Sequence, residues 1–202
     1  FCTMGALSDI QNFGDWRRFR SWLLAAATAL LGAQALDAAG IVQLSKSMYL
    51  GPSLNWLGNI LGGLMFGFGM VFAGGCASRN LARIGGGDLR ALFILSVRGI
   101  FAFMTIGGLL GPIRAALEQA TSIALKAPTQ SLGDLIAMSG ATGAGQANRW
   151  LSALILAGVL AFCFKDQEFR SSPNHILAGL GVGLLAAAGW ALTGLAFDDL
   201  SD

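Results

Sequence analysis

Apolar residues run through this chain in five long blocks, 21–41, 55–73, 91–113, 150–164 and 176–197, separated by polar stretches. Most approach the ~20 residues that a helix needs to cross the hydrocarbon core of a bilayer. The block at 150–164 is shorter, so it starts earlier, within GATGAGQANR, or lies partly inside the protein. Lipid offers no partner to a backbone N–H or C=O, which makes the blocks helices rather than strands. Turn and cap residues in NFGDWRRFR and SSPNH mark the starts of the first and fifth.

Composition supports this. Of the 202 residues 54% are hydrophobic and 12% are charged, against roughly 25% charged in a soluble domain. A net charge of +2 gives no footing for nucleic acid. The basic residues instead sit at block ends. Arg17, Arg18, Arg20, Arg79, Arg83, Arg90, Lys165 and Arg170 fall on one side of the membrane, and Lys46, Arg114, Lys126 and Arg149 on the other. The richer side is cytoplasmic by the positive-inside rule, and Trp16, Trp22, Trp56 and Trp150 lie near span ends, where an interfacial belt forms. The chain opens on Phe1 with no signal-peptide pattern and stops soon after an apolar block, so it reads as one incomplete transmembrane domain, 1–202.

Between the third and fourth spans, 114–149 forms an outer connection. Its first part, IRAALEQATSIALK, has an apolar face and an Arg114/Glu118 pair at i,i+4. It is either a helix lying on the membrane or an extension of the third span. The rest, rich in glycine, is a mobile link with no catalytic pattern. Gly58/Gly62 and Gly63/Gly67 are small-xxx-small steps, suited to close helix packing.

AGGCASRN, residues 73–80, differs: adjacent glycines end an apolar run, and Cys76 then leads into polar residues. Either the helix simply exits here, or it breaks at Gly74–Gly75 inside the protein. Irregular backbone at membrane depth occurs only where it is buried in protein or lines a cavity, and transporters direct such broken-helix N-termini at anions. The three cysteines, Cys2, Cys76 and Cys163, form no disulfide framework and no zinc pattern, so neither metal nor cofactor is expected. His175, beside Pro173 and Asn174, reads as a helix-start cap.

The run GGLMFGFGMVFAGGCASRNLARIGGG closely resembles the signature of the YeeE/YedE sulfur-transport family, and FCTMGALSDIQNFGDWRRFRSWLL is similar to that family's upstream motif. AAGWALTG, at 186–193, resembles a later segment of one subgroup. The resemblance implies an all-α polytopic membrane protein of the bacterial inner membrane, with short or broken helices in two inverted halves. Of these, an upstream helix and most of the second half lie outside this sequence. It also implies that Cys76 and Cys2 line the substrate path, with Gly74 and Gly75 as turn glycines. Cys163 matches no motif and takes no role. Ala77, Arg79 and Asn80 depart from the smaller or hydroxyl residues of many relatives, which leaves the substrate open, and whether a soluble sulfur-carrier protein receives the cargo on the cytoplasmic side is open too.

Thiosulfate is a dianion, so a thiolate would repel it; a binding cysteine is expected to stay neutral, its proton held on by burial. Cys2 and Cys76 then act as successive weak donors, with backbone amides supplying positive potential. The bland alternative for each is a small buried hydrophobe. Arg98, inside FILSVRGIFAF, is ~12 Å from the Arg90 end at 1.5 Å per residue. It is expected either to draw an anion into the path or to snorkel to the surface. Asp37 is expected to be interfacial or paired.

The function expected is therefore a permease or channel-like carrier, not an enzyme. A rival is a membrane-bound sulfurtransferase or redox enzyme with Cys76 carrying a persulfide, which needs an activating base or cation. A third reading is a packing subunit of a larger membrane complex.

Overall fold

A computed structural model describes residues 2–44, 51, 53–125, 130 and 144–201. Lys46, Lys126 and nearly all of the glycine-rich connection lie outside the described residues, as does the side chain of Arg149. The described chain is helical: α1 (Thr3–Phe13), α2 (Arg17–Ala38), α3 (Trp56–Phe72), α4 (Ala77–Gly85), α5 (Leu89–Ile106), α6 (Gly111–Thr121), α7 (Ala144–Phe164), α8 (Gln167–Arg170) and α9 (Pro173–Ser201). Two-residue strands β1 (Ser53–Leu54) and β2 (Ile123–Ala124) pair antiparallel, Ser53 opposite Ala124 and Leu54 opposite Ile123. Among the described residues, Arg17–Ala38, Trp56–Gly85, Leu89–Ile106 and Pro173–Gly194 are long and apolar enough to cross a membrane, with a shorter apolar helix at Trp150–Phe164. This is an all-α polytopic membrane protein.

The apolar block at 91–113 is not one helix. α5 stops at Ile106, where Gly107 and Gly108 both turn their N–H groups onto the Phe103 carbonyl at 3.1 Å. α6 then starts afresh with Pro112 in its first turn, a position that requires no N–H. The amphipathic segment is thus a separate helix rather than an extension of α5. Arg114 and Glu118 pair along it at 2.7 Å.

The residues group into two compact units, Phe1–Gln11 with Ser53–Ala124 and Asn12–Pro52 with Leu125–Asp202. In the first, Asn55 caps α3 by accepting the Gly58 N–H at 3.1 Å. Leu64, Met65, Phe66, Phe68 and Phe72 of α3 are exposed, as suits a helix whose solvent is lipid. Nothing in this unit lies within 4 Å of a Cβ built at Gly62, Gly63 or Gly67.

In the second unit the close helix pair is α2 with α9. Gly179 and Gly183, four residues apart, bring α9 against the α2 backbone. A Cβ on Gly183 would lie 2.5 Å from Thr28 Cβ and 2.7 Å from the Ala25 carbonyl oxygen. Ser21 Oγ crosses the same interface, donating to the His175 carbonyl at 2.7 Å. Beside it Leu24, Cys163 and Phe169 form a buried cluster, with the Cys163 thiol donating to the Arg20 carbonyl at 3.4 Å. Arg20 pairs with Asp166 and lies over the Phe162 ring, 5.2 Å from its centroid. His175 meets Ser172 Oγ at 2.8 Å at the start of α9, in a capping arrangement. Asp37 accepts the Leu44 N–H at 3.0 Å.

Gly183→Ala is expected to lower the thermal unfolding temperature of the detergent-solubilised protein, with an overpacking cost of about 1–3 kcal/mol. Gly181→Ala, on the same helix with nothing within 4 Å, is expected to be neutral or stabilising by up to about 1 kcal/mol through helix propensity. Equal effects of the two would refute the close α2–α9 contact.

Candidate functional site

α3 does not run on into α4. It ends in a Schellman closure, in which the Gly75 N–H reaches back to the Met70 carbonyl at 2.9 Å and the Gly74 N–H to Val71 at 3.2 Å. That closure needs a left-handed residue, and Gly74 supplies it with φ +66°. Gly75 follows at φ +140°, and a Cβ there would lie 2.6 Å from Arg79 Cδ. The helix therefore breaks where the paired glycines stand, and α4 restarts at Ala77 with Cys76 as its N-cap.

The same device recurs one helix later. α4 closes with the Asp88 N–H on the Arg83 carbonyl at 3.0 Å and the Gly87 N–H on Ile84 at 2.8 Å, Gly87 having φ +87°. Asp88 then caps α5, accepting the Arg90 and Ala91 N–H groups at 3.0 and 3.4 Å. The Arg83 guanidinium beside it holds its carboxyl below the usual carboxylate range. Cys76, like Asp88, is the N-cap of the helix that follows, yet it makes no cap hydrogen bond. Its sulfur meets Ser78 Oγ instead, at 3.1 Å. A carboxylate at this point would fill the helix end with fixed negative charge, which the uncapped thiol does not.

A second helix start meets this one. Cys2 precedes α1, and its carbonyl accepts the Ala6 N–H at 2.9 Å. The buried Cys2 sulfur receives the backbone N–H groups of Cys76, Gly5 and Met4 and is within hydrogen-bonding reach of the Cys76 thiol. Burial alone would push this thiol up, as the sequence suggests, but the hydrogen bonds outweigh burial and bring it from 9.0 down to about 7.

Cys2, Gly74, Gly75 and Cys76 thus come together, and Cys163 belongs to the core of the other unit. Arg98 neither points at open space nor snorkels: its Nη2 donates to the Gly75 carbonyl at 2.8 Å. Asn80 is absent from the sequence-based site, although it is 0% exposed. Its Nδ2 donates to the Ala73 carbonyl at 3.3 Å, while its buried Oδ1 has no partner among the described residues. Its place one turn into α4 after a glycine break was the available signal.

The sequence pattern described as sulphur transport matches residues 1–198. The chain is similar to the thiosulfate transporter TsuA of Spirochaeta thermophila, 26% identical over 200 residues that make up 94% of this chain and 56% of that protein. It is also similar to the thiosulfate transporter TsuA of Escherichia coli, 32% identical over 120 residues, 59% of this chain and 31% of that one. The chain thus spans about half the length of the first of these relatives and about a third of the second.

Alkylation of Cys2 by iodoacetamide, followed by peptide mass spectrometry without any added anion, is expected to rise with pH about a midpoint near 7, because the thiolate is the reactive form. A midpoint at the ordinary thiol value would contradict the amide cluster around it.

Proposed function

Because the chain belongs to the sulphur transport family, we propose that it carries thiosulfate or a related sulfur-containing anion across the membrane. One observation carries the mechanism: two helix starts meet at a pair of cysteines, one of them an N-cap without a cap bond. Amides at both starts supply partial positive charge, and the neutral thiols of Cys76 and Cys2 offer weak, polarizable donors to the soft terminal sulfur of the anion. Such contacts are individually weak, which suits a group that must be released as readily as it is bound. Gly74 and Gly75 let backbone approach the path closely. The whole carrier, on this reading, is a multi-pass protein of the bacterial inner membrane in which further chain completes the path, with a soluble sulfur carrier as the cytoplasmic recipient.

Protonation enters directly. An anion arriving at the amides competes with the Cys2 thiolate for the same donors, so binding is accompanied by proton uptake onto sulfur. The Cys2 thiol is lowered to about 7, and a bound dianion raises it. Affinity is therefore full below about pH 7 and falls as pH rises above it, by up to about tenfold per unit until the bound-state value is reached.

The lowered Cys2 thiol also favours a second reading, persulfide chemistry on a cysteine nucleophile. Among the described residues neither a histidine nor a lysine contacts the cysteine pair, which favours carriage.

Thiosulfate-dependent growth of a transport-deficient host separates these readings when the full-length protein carries the variants. Cys76→Ala is expected to abolish or strongly reduce growth, and Cys76→Ser to retain part of it, because a hydroxyl still donates to a passing anion. Undiminished growth with Cys76→Ala would refute the carrier mechanism; complete loss with Cys76→Ser would favour the persulfide. Uptake assayed between pH 6 and 9 is expected to show KM rising with pH above about 7.

A further inference from the structure

We infer that Arg98 is the positioning residue of this site, holding the Gly75–Cys76 peptide so that its N–H faces Cys2 and its carbonyl faces away. A trans peptide is planar, with C=O and N–H on opposite sides. The Gly75 carbonyl takes Arg98 Nη2 at 2.8 Å, and the N–H of the same peptide unit, that of Cys76, is directed at the Cys2 sulfur. One rigid plane therefore links a cation in α5 to the sulfur before α1. A charge-assisted bond to the carbonyl polarises the peptide and strengthens the N–H as a donor on its far side.

The grip has something to oppose. Gly75, at φ +140°, lies in a region where glycine imposes no steric preference for one peptide orientation. Released, the 75–76 peptide would be free to rotate its carbonyl toward the sulfur, replacing a donor with a negative end. Asn80 performs the matching task two peptides earlier by binding the Ala73 carbonyl. This account also explains a cation within an apolar helix, where an ionisable side chain is costly and functional by default. Arg98 acts through the backbone rather than on the anion itself.

The groups facing Cys2 are the Cys76 thiol and amide from the break and the Met4 and Gly5 amides from its own helix. Among charged groups on the neighbouring elements, Asp9 lies further along α1, Arg83 is paired with Asp88, and Arg79 is exposed with its stem over Gly75. Arg98 is the cation bonded to the peptide that faces the sulfur.

The orientation of the peptide stands without the transport reading; its consequence for an anion rests on that reading. The test is the pH profile of Cys2 alkylation in the full-length protein, without thiosulfate, by iodoacetamide and peptide mass spectrometry. Arg98→Met is expected to move the midpoint upward by about one pH unit, as loss of a strong hydrogen bond to a thiolate does. Arg98→Lys, which keeps the charge but not the guanidinium geometry, is expected to restore the midpoint only in part, leaving a smaller upward shift. If Arg98→Met does not fold, Arg98→Lys carries the test through a smaller upward shift. A wild-type midpoint in a folded Arg98→Met protein, or in Arg98→Lys when only that variant folds, overturns the inference even if uptake is lost. An upward shift in a protein that takes up no thiosulfate supports it and rejects the transport reading alone.

Discussion

A helix that stops inside an apolar fold releases carbonyls and amides that lipid cannot satisfy, each at a cost of several kcal/mol. Much of the first unit meets that constraint between Ala73 and Cys76. The Schellman closure takes the Gly74 and Gly75 N–H groups back onto α3. Asn80 takes the Ala73 carbonyl and Arg98 the Gly75 carbonyl. The Cys76 N–H turns to Cys2. Each of these groups has a partner, so the break is a fixed feature rather than a frayed end, and the donor left facing the cysteines is the one assigned to the anion in the proposed carriage.

The two glycine turns show how little sequence separates a structural joint from a site. Both breaks end a helix in a Schellman turn on a left-handed glycine, Gly74 at the first and Gly87 at the second, and both lead into an N-cap, Cys76 or Asp88, with Gly75 as one extra residue between turn and cap at the first. Aspartate at the second makes a complete joint, its carboxylate shared between the α5 amides and Arg83. Cysteine at the first leaves the joint incomplete. An N-cap oxygen is worth about 1 kcal/mol to a helix, and the lack of one at α4 is the local sacrifice that opens its amino end.

Much of this was legible along the chain. The closure at Gly74 depends on a left-handed residue at the end of an apolar run, a local requirement that two glycines announce. The partners of the break were not legible, because Arg98 meets Gly75 across 23 positions and its sequence neighbours give it no address. Glycine spacing misled for a similar reason. Gly58/Gly62, Gly63/Gly67 and Gly179/Gly183 share one pattern, but only the last is pressed against another backbone within its own unit; which small face has a partner is a tertiary fact. The turn that ends α5 hid in the hydropathy, since Gly107, Gly108, Leu109 and Leu110 continue an apolar run while the backbone reverses. Asn80 was seen only as a departure from a motif, because burial, not identity, gives it meaning.

The charges of the site suit the proposed carriage of a dianion. A lysine or arginine in direct contact would hold the anion too firmly for it to leave, and a carboxylate would exclude it. On the proposed carriage a thiol avoids both. Arg98 adds to this by standing one peptide behind the contact surface. On the proposed reading its charge reaches the site through a polarised N–H rather than by direct contact with the anion.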